Sequence, residues 1–184
     1  MRVFLALEIP EDLKDEIERS LNELQKICPS RVKWVKREHW HITLQFIGDV
    51  EASAIPKLKS GFAEILKGLE QFTISNPETE VIPPRRPRLI WLKCDYDSPQ
   101  LGNVLKKLRD FLNREGYQID TKPFRLHITL GRVKQYIAPE IVARLTESAI
   151  NPGQRTISVA TFYESRLHSE GPEYSIIEQY SLQH

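Results

Sequence analysis

The tetrapeptide His-Ile-Thr-Leu occurs twice in this 184-residue chain, at 41–44 and again at 127–130. In each copy a histidine stands two residues before a threonine, and in an extended strand that spacing sends both side chains to one face. With five histidines and eight threonines, composition alone accounts for roughly 0.2 such pairs. Ile42, Leu44 and Phe46 take the opposite, core-facing side of the first copy, and Leu126, Ile128 and Leu130 that of the second. If the two strands face each other, two imidazoles and two hydroxyls meet, with no carboxylate or thiol among them.

That inventory suits in-line displacement at phosphorus. Imidazole titrates near neutral pH, so one ring can take a proton from the nucleophile while the other gives one to the leaving group. Thr43 and Thr129 can donate to the non-bridging oxygens, where charge grows in the transition state. A cyclic diester has its neighbouring ribose oxygen already tied back, so no metal is required. Other site types fit worse. Clustered Cys and His of a structural zinc site are missing, and His39, which shares a face with His41, reads as a rim residue rather than a third ligand beside His127. The chain has no G-x-S-x-G elbow, Walker lysine loop or dinucleotide glycine motif. No cofactor and no metal are expected.

The bulk numbers describe an ordinary globular chain, 40% hydrophobic and 28% charged with a net charge of +1. A polyanion site must therefore come from local clustering, as at Arg85, Arg86 and Arg88 or at Lys33, Lys36 and Arg37. Cys28 and Cys94 form no disulfide framework and read as packed, reduced thiols, which points to the cytoplasm. The apolar run after Arg2 is stopped by Pro10, too short for a signal or a membrane span. No obligatory protein partner is evident.

The elements that must position the pairs follow from periodicity. RVFLALEIP (2–10) alternates as a strand, with Val3, Leu5, Leu7 and Ile9 inward and Phe4 on the cleft side. A helix follows on Leu13, Ile17, Leu21 and Leu24, then a short strand at 32–35 and the first His-Ile-Thr-Leu strand. A helix over about 52–67, a strand at 71–75 and a proline-rich connection at 76–87 lead to a second pass. That pass has a strand at 88–94, a helix with Ser98 as N-cap and Gly116 as C-cap, the second His-Ile-Thr-Leu, a helix opened by Pro139 and a strand at 156–165. A last strand lies near 174–182. His127 follows His41, Arg88 follows Arg2 and 157–161 follow 71–75, all at an offset of 86, the mark of a duplication. The expected fold is α+β: one bilobal domain over 1–184, a pseudo-twofold duplication with halves at about 1–86 and 87–172, two mainly antiparallel sheets backed by helices around a central cleft.

With RVFLALEIP, WVKREHWHITLQFIGDV, RPRLIWL and FRLHITLGRV in place, the chain resembles the two-histidine phosphoesterases, and within them the archaeal and bacterial RNA 2′,3′-cyclic phosphodiesterases, also called 2′-5′ RNA ligases. The resemblance covers nearly the whole chain. It implies hydrolysis of a terminal RNA 2′,3′-cyclic phosphate to a 2′-phosphate, tRNA halves being one such substrate, and ATP-independent 2′-5′ joining to a 5′-hydroxyl. It implies His41 as proton donor and His127 as proton acceptor. It also implies Arg132 beside the phosphate, although strict alternation puts Arg132 on the core face unless Gly131 bends the strand. Residues 37–40, REHW, depart from the family's usual entry to the strand. Phe4 is a candidate to stack on a base; Trp34, Trp40 and Trp91 receive no role. A non-catalytic RNA-binding module that uses the motifs only to hold phosphate is the alternative, and two intact histidines argue against it, since Arg or Lys would serve binding alone.

Overall fold

In a computed structural model, which describes residues 1–28, 30–120, 122–147, 153–169 and 171–184, nine strands and four α-helices run in the order β1 (Arg2–Glu8), α1 (Glu11–Ile27), β2 (Val32–Trp34), β3 (His41–Asp49), α2 (Ile55–Leu66), β4 (Phe72–Ile82), β5 (Leu89–Asp97), α3 (Leu101–Arg114), β6 (His127–Val133), α4 (Pro139–Thr146), β7 (Arg155–Ile157), β8 (Val159–His168) and β9 (Gly171–Ser181). They form two antiparallel sheets, β3-β1-β8-β9 and β2-β6-β5-β4-β7. The α+β, two-sheet reading of the sequence holds. No helix is long and apolar enough to cross a membrane.

The helices form where amphipathic periodicity requires them. On α1 the stripe Leu13, Ile17, Leu21 and Leu24 is buried, and Glu11 and Asp12 occupy the first turn, where carboxylates favour the helix dipole. Arg155, at the start of β7, ties that helix to the second sheet through Asp12 at 2.6 Å and Glu16 at 2.8 Å. Helices α2 and α3 meet at Phe62 and Phe111, whose rings are 6.0 Å apart and nearly perpendicular. Gly61 permits that approach, since a Cβ there would sit 2.2 Å from the Phe111 ring. Gly116 ends α3 at φ +84°, a conformation glycine adopts freely.

Three local expectations change. The segment 76–82 belongs to β4: Asn76 (φ 47°) and Pro77 fall where the register slips between Ser75 and Glu78, and a bulge is where a strand tolerates a proline. Helix α3 starts at Leu101 with Gln100 as N-cap, and the buried Ser98 hydroxyl caps nothing. The expected strand at 156–165 breaks at Ser158. Its first part, β7, pairs with β4 in one sheet, and its second, β8, pairs with β1 in the other.

That crossing corrects the single offset of 86. In the ladders, 71–75 and 155–157 are direct neighbours, Phe72 opposite Ile157, so they are not equivalents of each other. The equivalents are found by pairing. Glu8 opposes His41 as Lys93 opposes His127, an offset of 85, and Thr161 opposes Ala6 as Glu80 opposes Trp91, an offset of 81. Only β3 and β6 keep 86. Each sheet thus joins strands from both passes of the sequence.

Candidate active site

β3 and β6 carry the two His-x-Thr pairs and approach each other between the sheets. On each, Ile and Leu fill the core while His and Thr stay partly accessible; Ile42, Ile128 and Leu130 are fully buried. The two imidazoles stand near enough for the charge of His127 to act on His41.

Both rings are held the same way. His41 Nδ1 lies 2.8 Å from the His39 carbonyl, and His127 Nδ1 lies 2.6 Å from the Arg125 carbonyl. A carbonyl only accepts, so Nδ1 carries the hydrogen in each ring, and the opposite nitrogen, Nε2, holds the lone pair of the neutral form. Thr43 Oγ1 lies 3.1 Å from His41 Nε2 and can donate to it. Burial, the largest influence on both rings, pushes them below the ordinary imidazole range; His41 is lowered to about 4, against the opposing pull of the His39 carbonyl and Glu8. His127 is also lowered, while the Arg125 carbonyl opposes the shift. In the free molecule both imidazoles are therefore neutral at pH 7.

The surroundings of the two rings differ. Around His41 lie Phe4 (centroids 5.0 Å), Tyr174 (5.6 Å) and Tyr163 (6.5 Å). The Tyr163 hydroxyl donates to Glu8, 2.5 Å away, and burial together with that carboxylate raises the phenol above its ordinary range. His127 instead stacks on Trp91 at 3.8 Å and 21°. Arg125 lies over the Trp91 ring at 5.4 Å and pairs with Glu80 at 2.7 Å. Glu8, Tyr163, Tyr174 and Trp91 escaped the sequence reading. Register would have found two of them, because Glu8 and Trp91 sit opposite His41 and Thr129.

Phe4 lies on the cleft side as expected, but it is 1% exposed beneath His41, Phe46, Tyr163 and Tyr174. Covered on every side by rings, it has no face to offer a base and acts as the bed of His41.

Arg132 reaches the site through a bulge. Ile90 opposes Gly131 while Trp91 opposes Thr129, which leaves Leu130 as an extra residue in β6. Leu130 and Gly131 are both buried, alternation restarts, and Arg132 emerges on the side of His127 and Thr129. Gly131 makes room for β2, because a Cβ would stand 2.6 Å from Val32 Cγ1 and 3.1 Å from the Trp34 ring. The same bulge occurs at the matching place in β3, where Leu5 opposes Gln45 and Ala6 opposes Thr43, leaving Leu44 extra. It turns Phe46, expected in the core, outward to 57% exposure. Among the described residues no group of three or more His, Cys, Asp or Glu could hold a metal ion.

Comparison with known proteins places this geometry. The RNA 2′,3′-cyclic phosphodiesterase of Methanothermobacter thermautotrophicus is 30% identical over 188 residues, spanning 99% of both chains. The protein of the same name from Thermotoga maritima is 27% identical over 96% of this chain and 93% of its own. Among solved structures, TT0787 of Thermus thermophilus superposes over 100% of this chain and 98% of its own with a TM-score of 0.81 at 24% identity. Escherichia coli LigT complexed with 3′-AMP does so over 100% and 98% with a TM-score of 0.77 at 21% identity. The model of the LigT-like phosphoesterases matches residues 7–91 and 95–174, and the chain belongs to that family.

Proposed function

We propose that this protein hydrolyses RNA ends bearing a 2′,3′-cyclic phosphate to 2′-phosphates by metal-independent acid–base catalysis between His41 and His127. The observation that carries the reading is the matched pinning of the two rings, each with Nδ1 on the carbonyl two residues back and Nε2 left for chemistry. His127 Nε2 takes a proton from water as the water oxygen bonds to phosphorus. The bond from phosphorus to the ribose 3′ oxygen breaks, and protonated His41 gives its proton to that oxygen, leaving a 2′-phosphate and a 3′-hydroxyl. Thr43, Thr129 and Arg132 bind the non-bridging oxygens.

The low proton affinity of His41 in the free molecule fits a donor. Once charged it is a strong acid, and the negative charge of the bound diester is what charges it. A 5′-hydroxyl oxygen in place of water would give a 2′-5′ phosphodiester by the same proton transfers, without ATP, so ligation is the same chemistry with another nucleophile. The relatives named RNA 2′,3′-cyclic phosphodiesterase support RNA as the substrate. The test is turnover of nucleoside 2′,3′-cyclic phosphates by purified protein, with the product identified by 31P NMR. A 2′-monophosphate is expected. A 3′-monophosphate, or no turnover, overturns the assignment.

A further inference from the structure

His41 must carry a full positive charge before it can act as a proton donor, yet burial is the largest influence on the ring and pushes the proton off. A cation in such a place needs a counter-charge. The bound diester brings one. The fold holds another, on a residue that the scheme above leaves unused.

Glu8 is the last residue of β1 and the direct ladder partner of His41. Directly opposed residues of an antiparallel pair send their side chains to one face, with Cβ atoms about 5 Å apart. The carboxylate is half-buried and fixed by the Tyr163 hydroxyl, which donates to it over 2.5 Å. That partner is neutral, so the bond seats the carboxylate without cancelling its charge. Both nitrogens of His41 are engaged elsewhere, Nδ1 on the His39 carbonyl and Nε2 beside Thr43. Glu8 therefore reaches the ring through its field, and that field favours the charged form. The other titratable groups facing the ring are Tyr163 from β8, Tyr174 from β9, His39 and His127. None of these brings a negative charge at neutral pH.

The second lobe supplies the contrast. The residue that stands to His127 as Glu8 stands to His41 is Lys93. Ile82, opposite Leu89, takes the place of Tyr163, opposite Phe4, and has no hydroxyl to offer. The two histidines are pinned alike, but a carboxylate faces the donor and an ammonium the acceptor. The acceptor becomes charged only after taking the proton of water, and it must lose that proton before the next turnover. A neighbouring cation helps to drive it off.

We infer that Glu8 is a positioning residue: its carboxylate, seated by Tyr163, stabilises the imidazolium of His41 from which the proton passes to the ribose 3′ oxygen. This rests on the acid–base reading above.

The experiment compares Glu8→Gln, which keeps the shape and can still accept from Tyr163, with Glu8→Asp, which keeps the charge. Each is assayed on a nucleoside 2′,3′-cyclic phosphate and on its analogue with sulfur in place of the bridging 3′ oxygen. A thiolate departs without a proton, so only the oxygen substrate depends on the donor. Glu8→Gln should lower kcat about tenfold on the oxygen substrate and by less than about twofold on the sulfur substrate. Glu8→Asp should recover most of the loss. In 15N NMR with a nucleoside 2′-monophosphate bound, the His41 midpoint should fall by about one pH unit in Glu8→Gln. Equal losses on both substrates, which a merely structural role gives, or an unmoved His41 midpoint, overturn the inference. Lys93→Glu keeps it testable should Glu8→Gln fail to fold. The introduced carboxylate, opposite His127, should raise the midpoint of that ring in the same spectra, and an unchanged midpoint overturns the inference as well. Failure of the main reading is distinct: the wild-type protein then hydrolyses neither substrate, and the His41 midpoint alone decides whether Glu8 acts on the ring.

Discussion

The neutral state of His41 gives the most direct physical test. In the unfolded chain an imidazole takes up its proton near pH 6.5, whereas in the fold burial delays this to about pH 4. Between those values the unfolded state binds more protons, so stability falls as the pH falls. The contribution is complete above pH 6.5 and lost progressively towards pH 4. A gap of that size corresponds to about 3 kcal/mol, a substantial part of the 5–15 kcal/mol typical of a folded domain. His127, lowered for the same reason, acts in the same direction. Urea denaturation at pH 7.5 and pH 4.5 should therefore show the wild-type protein losing about 2–3 kcal/mol more than His41→Gln, which cannot be protonated in either state. Ring nitrogen shifts from 15N NMR should show His41 as the Nδ1–H tautomer from pH 8 to below 5. A nucleoside 2′-monophosphate should raise its midpoint, because the phosphate charge favours the imidazolium. If His41 in the free protein titrates at or above pH 6.5, or if His41→Gln loses as much stability on acidification as the wild type, the buried-neutral reading is wrong.

Other perturbations separate the parts of the site. His41→Ala and His127→Ala should each cost ~10²–10⁴ in kcat/KM on cyclic-phosphate RNA, and the double variant little more, since the rings act as a unit; near-normal turnover in either single variant would leave the repeat as two well-formed strands. Thr43→Ala and Thr129→Ala should cost less than the ~10²–10³ of a lone oxyanion donor, because other donors remain. Activity should survive exhaustive chelation; loss with EDTA and recovery with zinc or manganese would end the acid–base scheme. Gly131→Ala should destabilise the fold by about 1–3 kcal/mol, because its Cβ would collide with Val32 and Trp34. It should also lower activity through Arg132, and unchanged thermal denaturation would contradict the close packing of β2 on β6.

Much of this was legible in the chain. The face shared by His and Thr, the apolar stripes of the helices and the Gly116 cap depend on neighbours a few residues away, and local periodicity reports them. Three of the misreadings share a cause, which is that bulges are properties of strand pairs. Alternation assigned Phe46 and Arg132 to the core because nothing in either strand alone shows that Leu44 or Leu130 is unpaired. Pro77 hid the second half of β4 for the same reason. The rings around His41 come from β1, β8 and β9, brought together over more than 150 residues of sequence, beyond the reach of any local pattern.

The crossing at Ser158 also bears on how the molecule is assembled. With β8 leaving the sheet of β4 to lie beside β1, the late part of the chain is the clasp that closes the early part. A polypeptide severed at residue 87 would yield a front piece whose β1 lacks β8, and a rear piece whose β5 lacks β4 and whose β6 lacks β2. Neither piece holds a finished hydrophobic layer, so the two histidine strands come into being together in one cooperative event. Interlaced in this way, the walls of the cleft resist drifting apart, and the gap between His41 and His127 is built into the weave of the backbone rather than left to a hinge.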